Sequence, residues 1–383
     1  MFKHFALLLS AFAFPAMLFA NESSLLVSQD CQILSSGPVG WTATQVAEMA
    51  AANSSAANLL ESERSALSAS VDRDDRQQCA QLALLQRVID DLACYERARS
   101  AAQALTIYQQ LVGLERQKLL LDDAYVAADQ LLRFANKADE LEIKDGNRFE
   151  LDKQRLQIAD QKLESAGTDA KLRIALGELV GKPYSVVATV YLSSRDQQPS
   201  ETQSVDEAIV TGLARRCDIQ AIEQLCRSLS ADSLPAMRQL LGSLQPGLGL
   251  AIALTSRKPL LNLLHHDDDS TAELCRRRQQ CARLLDERRG QAEAQIRVAY
   301  IERQTAMARL EVAKQQLEID DQIVKRSLKA VELEKALPGA ELITELARLK
   351  SQGRVVELET AIAVADVKLA EATGTILPLP RSE

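Results

Sequence analysis

Apolar residues recur at steps of three and four along most of the chain, the spacing that places them on one face of an α-helix. The pattern predicts six main helices, and Leu234-Pro235 opens a further helical piece. Two of them are each about 100 Å long at a rise of 1.5 Å per residue. Thr42 or Thr44 is the candidate N-cap of the first helix. The predicted helices cover residues 44–71, 77–143, 148–180, 205–230, 271–336 and a final stretch that ends at Gly374.

Short breaker sequences separate these helices. Residues 144–147 (KDGN) and 337–339 (LPG) predict tight turns, and residues 181–183 (GKP) predict the end of the third helix. Residues 184–192 contain the run VVATV, which makes them the best strand candidate in the sequence. Residues 193–204 are polar and predict a linker to the second half of the chain.

The two halves of the chain share one register. Gly146 and Gly339, one in each predicted turn, are separated by 193 residues, and Gly181 and Gly374 have the same separation. A heptad background explains coincidences of leucine and alanine, but it does not explain two matching terminators. Each half is therefore predicted to be a long helix, a glycine turn and a half-length return helix. Further identical pairs at this separation are Arg133 and Arg326, Arg155 and Arg348, Leu156 and Leu349, Glu164 and Glu357, Ala170 and Ala363, and Leu176 and Leu369.

These elements predict an all-α-dominated fold of two tandem long α-helical hairpins, with one or two short β-strands. A hairpin this long cannot bury its apolar stripe alone, so we expect the repeats to pack on each other or on other chains. The predicted segments are a signal peptide at 1–20, an N-terminal extension at 21–41, a first hairpin repeat at 42–183, a strand and linker at 184–204, a second hairpin repeat at 205–374 and a Pro-rich tail at 375–383.

Charge and the N-terminal segment narrow the partners and the compartment. The net charge of −8 argues against nucleic acid, because phosphates need a basic surface. Residues 1–4 supply a positive start, residues 5–14 are apolar, and residues 18–20 offer a small-residue cleavage site. The run is too short for a spanning helix, which needs about 20 residues. We therefore expect an exported protein of the periplasm or the outer membrane.

Seven cysteines are expected to form disulfides in an oxidising compartment. Cys217 and Cys226 would lie about 13 Å apart along one helix, beyond the roughly 7 Å limit between the Cα atoms of a disulfide. Bridges would therefore join different helices, and the odd count leaves one thiol free or bonded to a second chain. Metal binding is the rival interpretation, but no CxxC or clustered histidine accompanies the cysteines. The candidates are Cys79, Cys94, Cys217, Cys226, Cys275 and Cys281, with Cys31 as the seventh.

The duplicated order of long helix, turn glycine and return helix resembles the TolC-like outer-membrane efflux protein family. The resemblance implies a homotrimer whose hairpins form a helical tube across the periplasm and export molecules with a periplasmic adaptor and an inner-membrane pump. The rival hypothesis is a periplasmic coiled-coil scaffold that transports nothing. The matching stretches are KDGNRFELDKQRLQIADQKLESAGTDAKLRIALGELVGKP at 144–183, PGAELITELARLKSQGRVVELETAIAVADVKLAEATG at 338–374 and VDEAIVTGLARRCDIQAIEQL at 205–225.

The sequence departs from this family where the family inserts pairs of membrane strands. In the first repeat the gap is residues 72–76, too short for a membrane strand of about 9–11 residues. In the second repeat the gap offers residues 248–255 and little else. A membrane barrel also needs aromatic girdles, whereas Trp41 is the single tryptophan. We therefore expect the membrane strands to be missing or vestigial, which leaves contact with the outer membrane open.

The resemblance points to two candidate functional features. The turns would dock an adaptor or pump, although their glycines are also needed simply to reverse the chain. Asp152 and Glu345 precede Arg155 and Arg348 by three residues, which places each acid and arginine on one helical face. In the family, acidic residues near this position narrow the tube entrance; the alternative, which we favour, is a solvated ion pair worth under about 1 kcal/mol. The turn residues are Asp145, Gly146, Asn147, Pro338, Gly339 and Ala340.

No feature of the sequence predicts catalysis, a resident metal or a cofactor. The run His265-His266-Asp267-Asp268-Asp269 has suitable metal-ligand atoms, but consecutive residues converge on one ion only in a sharply folded loop. Cysteine–histidine catalysis is not expected, because the histidines are His4, which leaves with the signal peptide, and the adjacent His265 and His266. No GxxxxGK[ST], HExxH or GxSxG motif occurs. We therefore expect a protein without enzyme activity.

Overall fold

The computed structural model describes residues 40–69, 76–140, 148–192, 204–230, 233–234, 269–333, 335 and 339–377. Helices account for most of these residues, and the strands have two residues each, so the all-α-dominated fold class is confirmed. The predicted signal peptide, the predicted turn at 144–147, residues 248–255 and the run from His265 to Asp268 lie outside the described residues. The elements are β1 Gly40–Trp41, α1 Ala43–Ala52, α2 Ser55–Ala69, α3 Arg76–Glu140, α4 Arg148–Val180, α5 Tyr184–Val187, β2 Tyr191–Leu192, α6 Val205–Arg215, α7 Cys217–Arg227, α8 Asp269–Glu332 and α9 Ala340–Ala372.

The two long helices match in length and position. α3 has 65 residues and α8 has 64. Their first residues, Arg76 and Asp269, have the same separation of 193 residues as the paired glycines. The return helices α4 and α9 have 33 residues each. The structure therefore confirms two tandem long helical hairpins.

Both return helices end in the same way. Gly181 follows α4 with φ 67°, and Gly374 follows α9 with φ 65°. Glycine adopts this left-handed conformation without the steric cost that a Cβ brings. The amide one residue after each glycine donates to the carbonyl five residues before it, at 2.9 Å in the first repeat and 2.8 Å in the second. These are hydrogen bonds of a Schellman motif, so one mechanism stops both helices.

Each repeat opens with a short helix that begins with a capping box. The hydroxyl of Thr42 accepts from the amide of Gln45, and the Gln45 side chain accepts from the amide of Thr42. Ser204 and Glu207 make the same reciprocal pair ahead of α6. Of the two predicted N-caps, Thr42 is therefore the one that the structure uses.

Two predicted helices are each broken in the structure. Residues 44–69 form α1 and α2, which separate at Asn53 and Ser54, whereas the sequence predicted one helix. The helix predicted at 205–230 is likewise two helices, α6 and α7, which separate at Arg216. The apolar spacing continues through both breaks, and contacts with the end of a return helix, described below, hold them.

The strand predicted at residues 184–192 is mostly wrong. Tyr184–Val187 is one helical turn, and the strand is limited to Tyr191–Leu192, which pairs in parallel with Gly40–Trp41. The buried guanidinium of Arg173 donates to two carbonyls of this segment, at 2.9 Å and 3.2 Å. Because these carbonyls are bonded to a side chain, the segment curls around the arginine instead of extending.

The four long helices lie side by side in one row. α4 packs on α3, α3 packs on α9, and α9 packs on α8. α3 and α9 are therefore the inner helices, and α4 and α8 lie at the two edges. The short helices cover part of the row, because α1 packs on α3 and α4 while α7 packs on α3 and α8. Among the described helices, none is apolar over a length sufficient to cross a membrane.

Several small cores and one covalent bond hold the short helices to the row. In one core the hydroxyl of Tyr108 donates to the carbonyl of Trp41 at 3.1 Å. A disulfide joins Cys94 of α3 to Cys217 of α7, with their Cα atoms 6.1 Å apart. The bond joins two different helices, as the sequence predicted, and it links the first repeat to the second.

Candidate functional site

The turn of the second hairpin packs against the first hairpin. Gly339 caps α9 with φ 94°, and a Cβ at this position would be 3.4 Å from the Leu131 side chain and 3.6 Å from the Phe134 side chain, both on α3. Gly339 is buried and Ala340 is half-buried. The other predicted turn residues, Asp145, Gly146, Asn147 and Pro338, lie outside the described residues.

The predicted acid–arginine pairs form on both return helices. Arg348 donates to both carboxylate oxygens of Glu345, from Nη2 at 2.6 Å and from Nε at 2.8 Å. This hydrogen bond lowers the pKa of Glu345 and raises that of Arg348. In the first repeat Arg155 donates from Nη2 to Oδ1 of Asp152 at 3.1 Å. The i, i+3 spacing read from the sequence therefore brings each pair together.

Each of these arginines also faces an acid on the long helix of its own hairpin. Arg155 is 3.8 Å from Asp129 of α3, and Arg348 is 3.9 Å from Asp321 of α8. The two arginine side chains are about three-quarters buried. Each arginine thus links the long helix and the return helix of its hairpin. The sequence did not reveal this role, because the facing acids are distant along the chain.

The C-terminal end of α4 packs on the break between α1 and α2. Asn53 Nδ2 donates to the carbonyls of Glu178 at 3.1 Å and Leu179 at 3.0 Å, which the helix end leaves unpaired. A Cβ on Gly181 would lie 2.6 Å from Asn53 Oδ1. The close approach and the left-handed conformation both require glycine here.

The C-terminal end of α9 packs on the break between α6 and α7, where Nη1 of the buried Arg216 donates to the carbonyl of Ala372 at 3.5 Å. Arg216 donates to Asp218 from Nε at 3.0 Å and from Nη2 at 2.8 Å, and its Nη1 donates to Gln295 of α8 at 2.7 Å. Burial lowers the pKa of Arg216, whereas the hydrogen bond and the negative charge of Asp218 raise it. The second effect prevails, so the pKa of Arg216 is above its ordinary value. A Cβ on Gly374 would lie 3.1 Å from the carbonyl oxygen of Arg215.

The edge helices expose more apolar surface than the inner helices. Within the described residues, eleven large apolar side chains are exposed on α4 and α8 and four on α3 and α9. The α4 stripe repeats at seven-residue steps, from Phe149 at 86% exposed to Leu163 at 74%. Such a stripe is the seam by which one helix packs on another. The exposed residues are Phe149, Leu156, Leu163 and Ile174 on α4, and Val298, Ile301, Met307, Val312, Ile319, Ile323 and Leu328 on α8.

The equivalent seam on α9 is covered by the first repeat. Leu349 and Val356, which lie 193 residues after Leu156 and Leu163, are only 5% and 3% exposed. They precede Thr360 by eleven and four residues, so they share its face of the helix. That face lies on α3, because the Thr360 side chain occupies the space beside Gly113, where a Cβ would come within 2.0 Å of its hydroxyl oxygen.

The positions equivalent to Thr360 and Gly113 in the other repeat lie on the two edge helices, α4 and α8. At the same separation, Gly167 of α4 corresponds to Thr360, and Ala306 of α8 corresponds to Gly113. A Cβ on Gly167 would meet nothing within 4 Å. In the covered joint the small residue is on the long helix, whereas at the edges the return helix carries the glycine. Within the described residues, the contact that Gly113 makes with Thr360 is therefore not repeated at Gly167.

No protein-family model matches the sequence, and no curated protein matches it. Solved structures match its fold. The outer membrane protein VceC of Vibrio cholerae is 15% identical, with a TM-score of 0.60 over 78% of this chain and 75% of its own. The CmeC outer membrane channel of Campylobacter jejuni is 11% identical, with a TM-score of 0.64 over 94% of both chains. A membrane protein of Pseudomonas aeruginosa is 12% identical, with a TM-score of 0.65 over 93% of this chain and 96% of its own. The chain therefore has the fold of the TolC-like outer membrane efflux proteins.

Proposed function

We propose that this chain is one subunit of a TolC-like tube, a homotrimer that takes part in efflux with a periplasmic adaptor and an inner-membrane pump. The observation that carries the proposal is the unfilled joint at the edges of the row. α9 covers its seam with α3, whereas the equivalent seam on α4 is exposed. In a ring, α8 of a second copy would cover it.

The joint is of the head-to-tail kind, which closes rings when the rotation between copies is a whole fraction of a turn. Each chain brings two hairpins, and the same step would relate hairpins within a chain and between chains. The TolC-like fold supports three copies as the closing number. The predicted leader at residues 1–20 supports export to the periplasm.

The turns are proposed to be the end that meets the adaptor or pump. Near this end, threefold symmetry would repeat Asp152 and Glu345 as rings of charge, as in ion-selective pores. Arg155 and Arg348 pair with these acids within the chain, so the rings would carry little net charge. We therefore assign Arg155 and Arg348 to holding each hairpin closed, through the facing acids on α3 and α8.

The native mass of the purified protein tests the assembly. We expect three times the mass of one chain, and we expect Leu163→Glu to release single chains, because a carboxylate in the covered seam would lose its hydration without a partner. Leu59→Glu is the matched control, since Leu59 of α2 is 68% exposed and lies outside the seam. A wild-type protein that has the mass of a single chain, or a Leu163→Glu protein that is still a trimer, would contradict the proposed ring.

Transport needs a separate test, because a scaffold without transport activity could have the same mass. Cells that depend on this protein for drug tolerance or substrate export would receive Leu163→Glu or Leu59→Glu. Efflux predicts that tolerance falls with the first substitution and not with the second. If neither changes tolerance and no pump or adaptor co-purifies with the wild type, the scaffold becomes the better hypothesis.

A further inference from the structure

The short helix that carries the disulfide also carries one member of a second pair of cysteines. Cys226 of α7 and Cys281 of α8 meet in a small core with Leu84, Val88 and Leu225. Both are thiols in the structure, Cys281 is fully buried and Cys226 is half-buried. The two thiols are joined by a hydrogen bond. The two cysteines therefore lie in one core on different helices, as the partners of a disulfide that joins two helices must.

We propose that Cys226 and Cys281 form a second disulfide in the mature protein. The inference does not depend on transport or on the number of copies. Cys217 and Cys226 are nine residues apart on α7, about 13 Å, so the two bonds would leave the helix near opposite ends. Cys217 is bonded to α3 of the first repeat. The second bond would join α7 to α8 of the second repeat, so α7 would tie both long helices together covalently.

Cys226 is the sulfur that an oxidant reaches, because Cys281 is buried. The hydrogen bond from Cys281 lowers the pKa of Cys226, against the effect of burial, while the pKa of Cys281 is raised by the same hydrogen bond. Thiolate character therefore concentrates on the half-exposed sulfur. A half-exposed thiol with a lowered pKa, beside a second thiol, is the arrangement that forms a disulfide by exchange.

The oxidant we name is a disulfide such as oxidised glutathione. The Cys226 thiolate attacks one of its sulfurs, which forms a mixed disulfide and releases one glutathione thiolate. The Cys281 thiol then gives up its proton to that thiolate and attacks the Cys226 sulfur, displacing the second glutathione. One S–S bond forms in the protein and one breaks in the oxidant, which takes up two electrons and both thiol protons.

Mass mapping of the unreduced protein tests this pairing. The purified full chain is equilibrated in a buffer of reduced and oxidised glutathione, alkylated and digested without reduction. We expect a linked peptide pair for Cys226 and Cys281 beside the pair for Cys94 and Cys217. Alkylated or separately glutathionylated Cys226 and Cys281, in a sample whose Cys94–Cys217 bond has formed, would overturn the proposal.

Single substitutions sharpen the assignment. Cys226→Ser should leave Cys281 as a buried thiol that is alkylated after unfolding, because it would have no partner. Cys275→Ser is the matched control, since Cys275 is exposed on the same helix, and it should leave the Cys226–Cys281 link intact. Loss of that link in the Cys275→Ser protein would show that the link depends on Cys275 and would contradict the proposal.

Discussion

At the scale of single residues, glycine marks the same point in both repeats. Gly181 and Gly374 share a left-handed conformation and a hydrogen-bonding pattern, although they dock on different partners. The sequence predicted both as terminators, because a glycine at the end of an apolar periodic run is a local signal. What each glycine touches was not predictable, since Asn53 and Arg215 are more than a hundred residues away along the chain.

Gly374→Ala is expected to lower the free energy of unfolding by about 1–2 kcal/mol, the cost of a Cβ in the left-handed conformation. The added atom would also crowd the backbone of Arg215 at 3.1 Å. Urea unfolding followed by circular dichroism measures the change. Gly290→Ala is the control, because a Cβ there meets nothing within 4 Å on α8 and alanine favours a helix by roughly 0.5–1 kcal/mol. Equal losses in both variants would contradict a conformational role for Gly374.

At the scale of elements, the lengths of the long helices follow from the sequence and the breaks do not. The apolar spacing is uninterrupted along α3 and α8, and the predicted bounds of these helices are within a few residues of the observed ones. The breaks at Asn53 and Arg216 depend on a return helix that arrives from elsewhere in the fold. Similarly, the β-branched run at 184–192 has strand propensity, but Arg173 captures its carbonyls. Tertiary contacts override local preference in all three cases.

The two docking points differ in chemistry, and this predicts unequal sensitivity to substitution. Asp218→Ala would leave the Arg216 guanidinium buried beside little negative charge, which costs about 3–5 kcal/mol. Asn53→Ala removes exposed, neutral hydrogen bonds to two carbonyls, for a cost of about 0.5–1.5 kcal/mol each. Urea unfolding of both variants gives the comparison.

The double substitution Arg216→Met with Asp218→Ala is the control for the buried charge. It should regain part of the stability that Asp218→Ala loses, because no unpaired cation would remain in the core. If the double variant is less stable than Asp218→Ala, the guanidinium stabilises the break by its other contacts, to Gln295 and the carbonyl of Ala372, and the ion pair is not the main term.

At the scale of the whole molecule, the row of helices has two open edges that correspond to a joint already made inside it. The sequence predicted that the hairpins need cover, because their stripes exceed what one hairpin buries. The sequence did not show which face of α9 packs on α3 and which packs on α8, because the spacing of apolar residues is the same for both contacts. Nor did it pair Cys94 with Cys217, which are 123 residues apart.

A cross-linking experiment locates the joint between copies. Gly167→Cys and Ala306→Cys together should give chain-to-chain disulfides on oxidation, with bands up to three chains on a non-reducing gel. Gly113→Cys with Thr360→Cys is the matched control, since these positions already meet within one chain and should give no larger species. A ladder from the control, or none from the test pair, would contradict the equivalence of the two joints.

The seating of Thr360 beside Gly113 has a consequence for how the proposed ring comes apart. Chain continuity holds α3 and α9 at a high effective concentration, whereas a joint between α4 and α8 of separate molecules depends on how much protein is present. Dilution would therefore split the ring into whole hairpin pairs and would spare the inner joint. Labelled subunits would therefore exchange between rings as whole chains, because half of the contacts of the ring lie within a chain and do not dissociate.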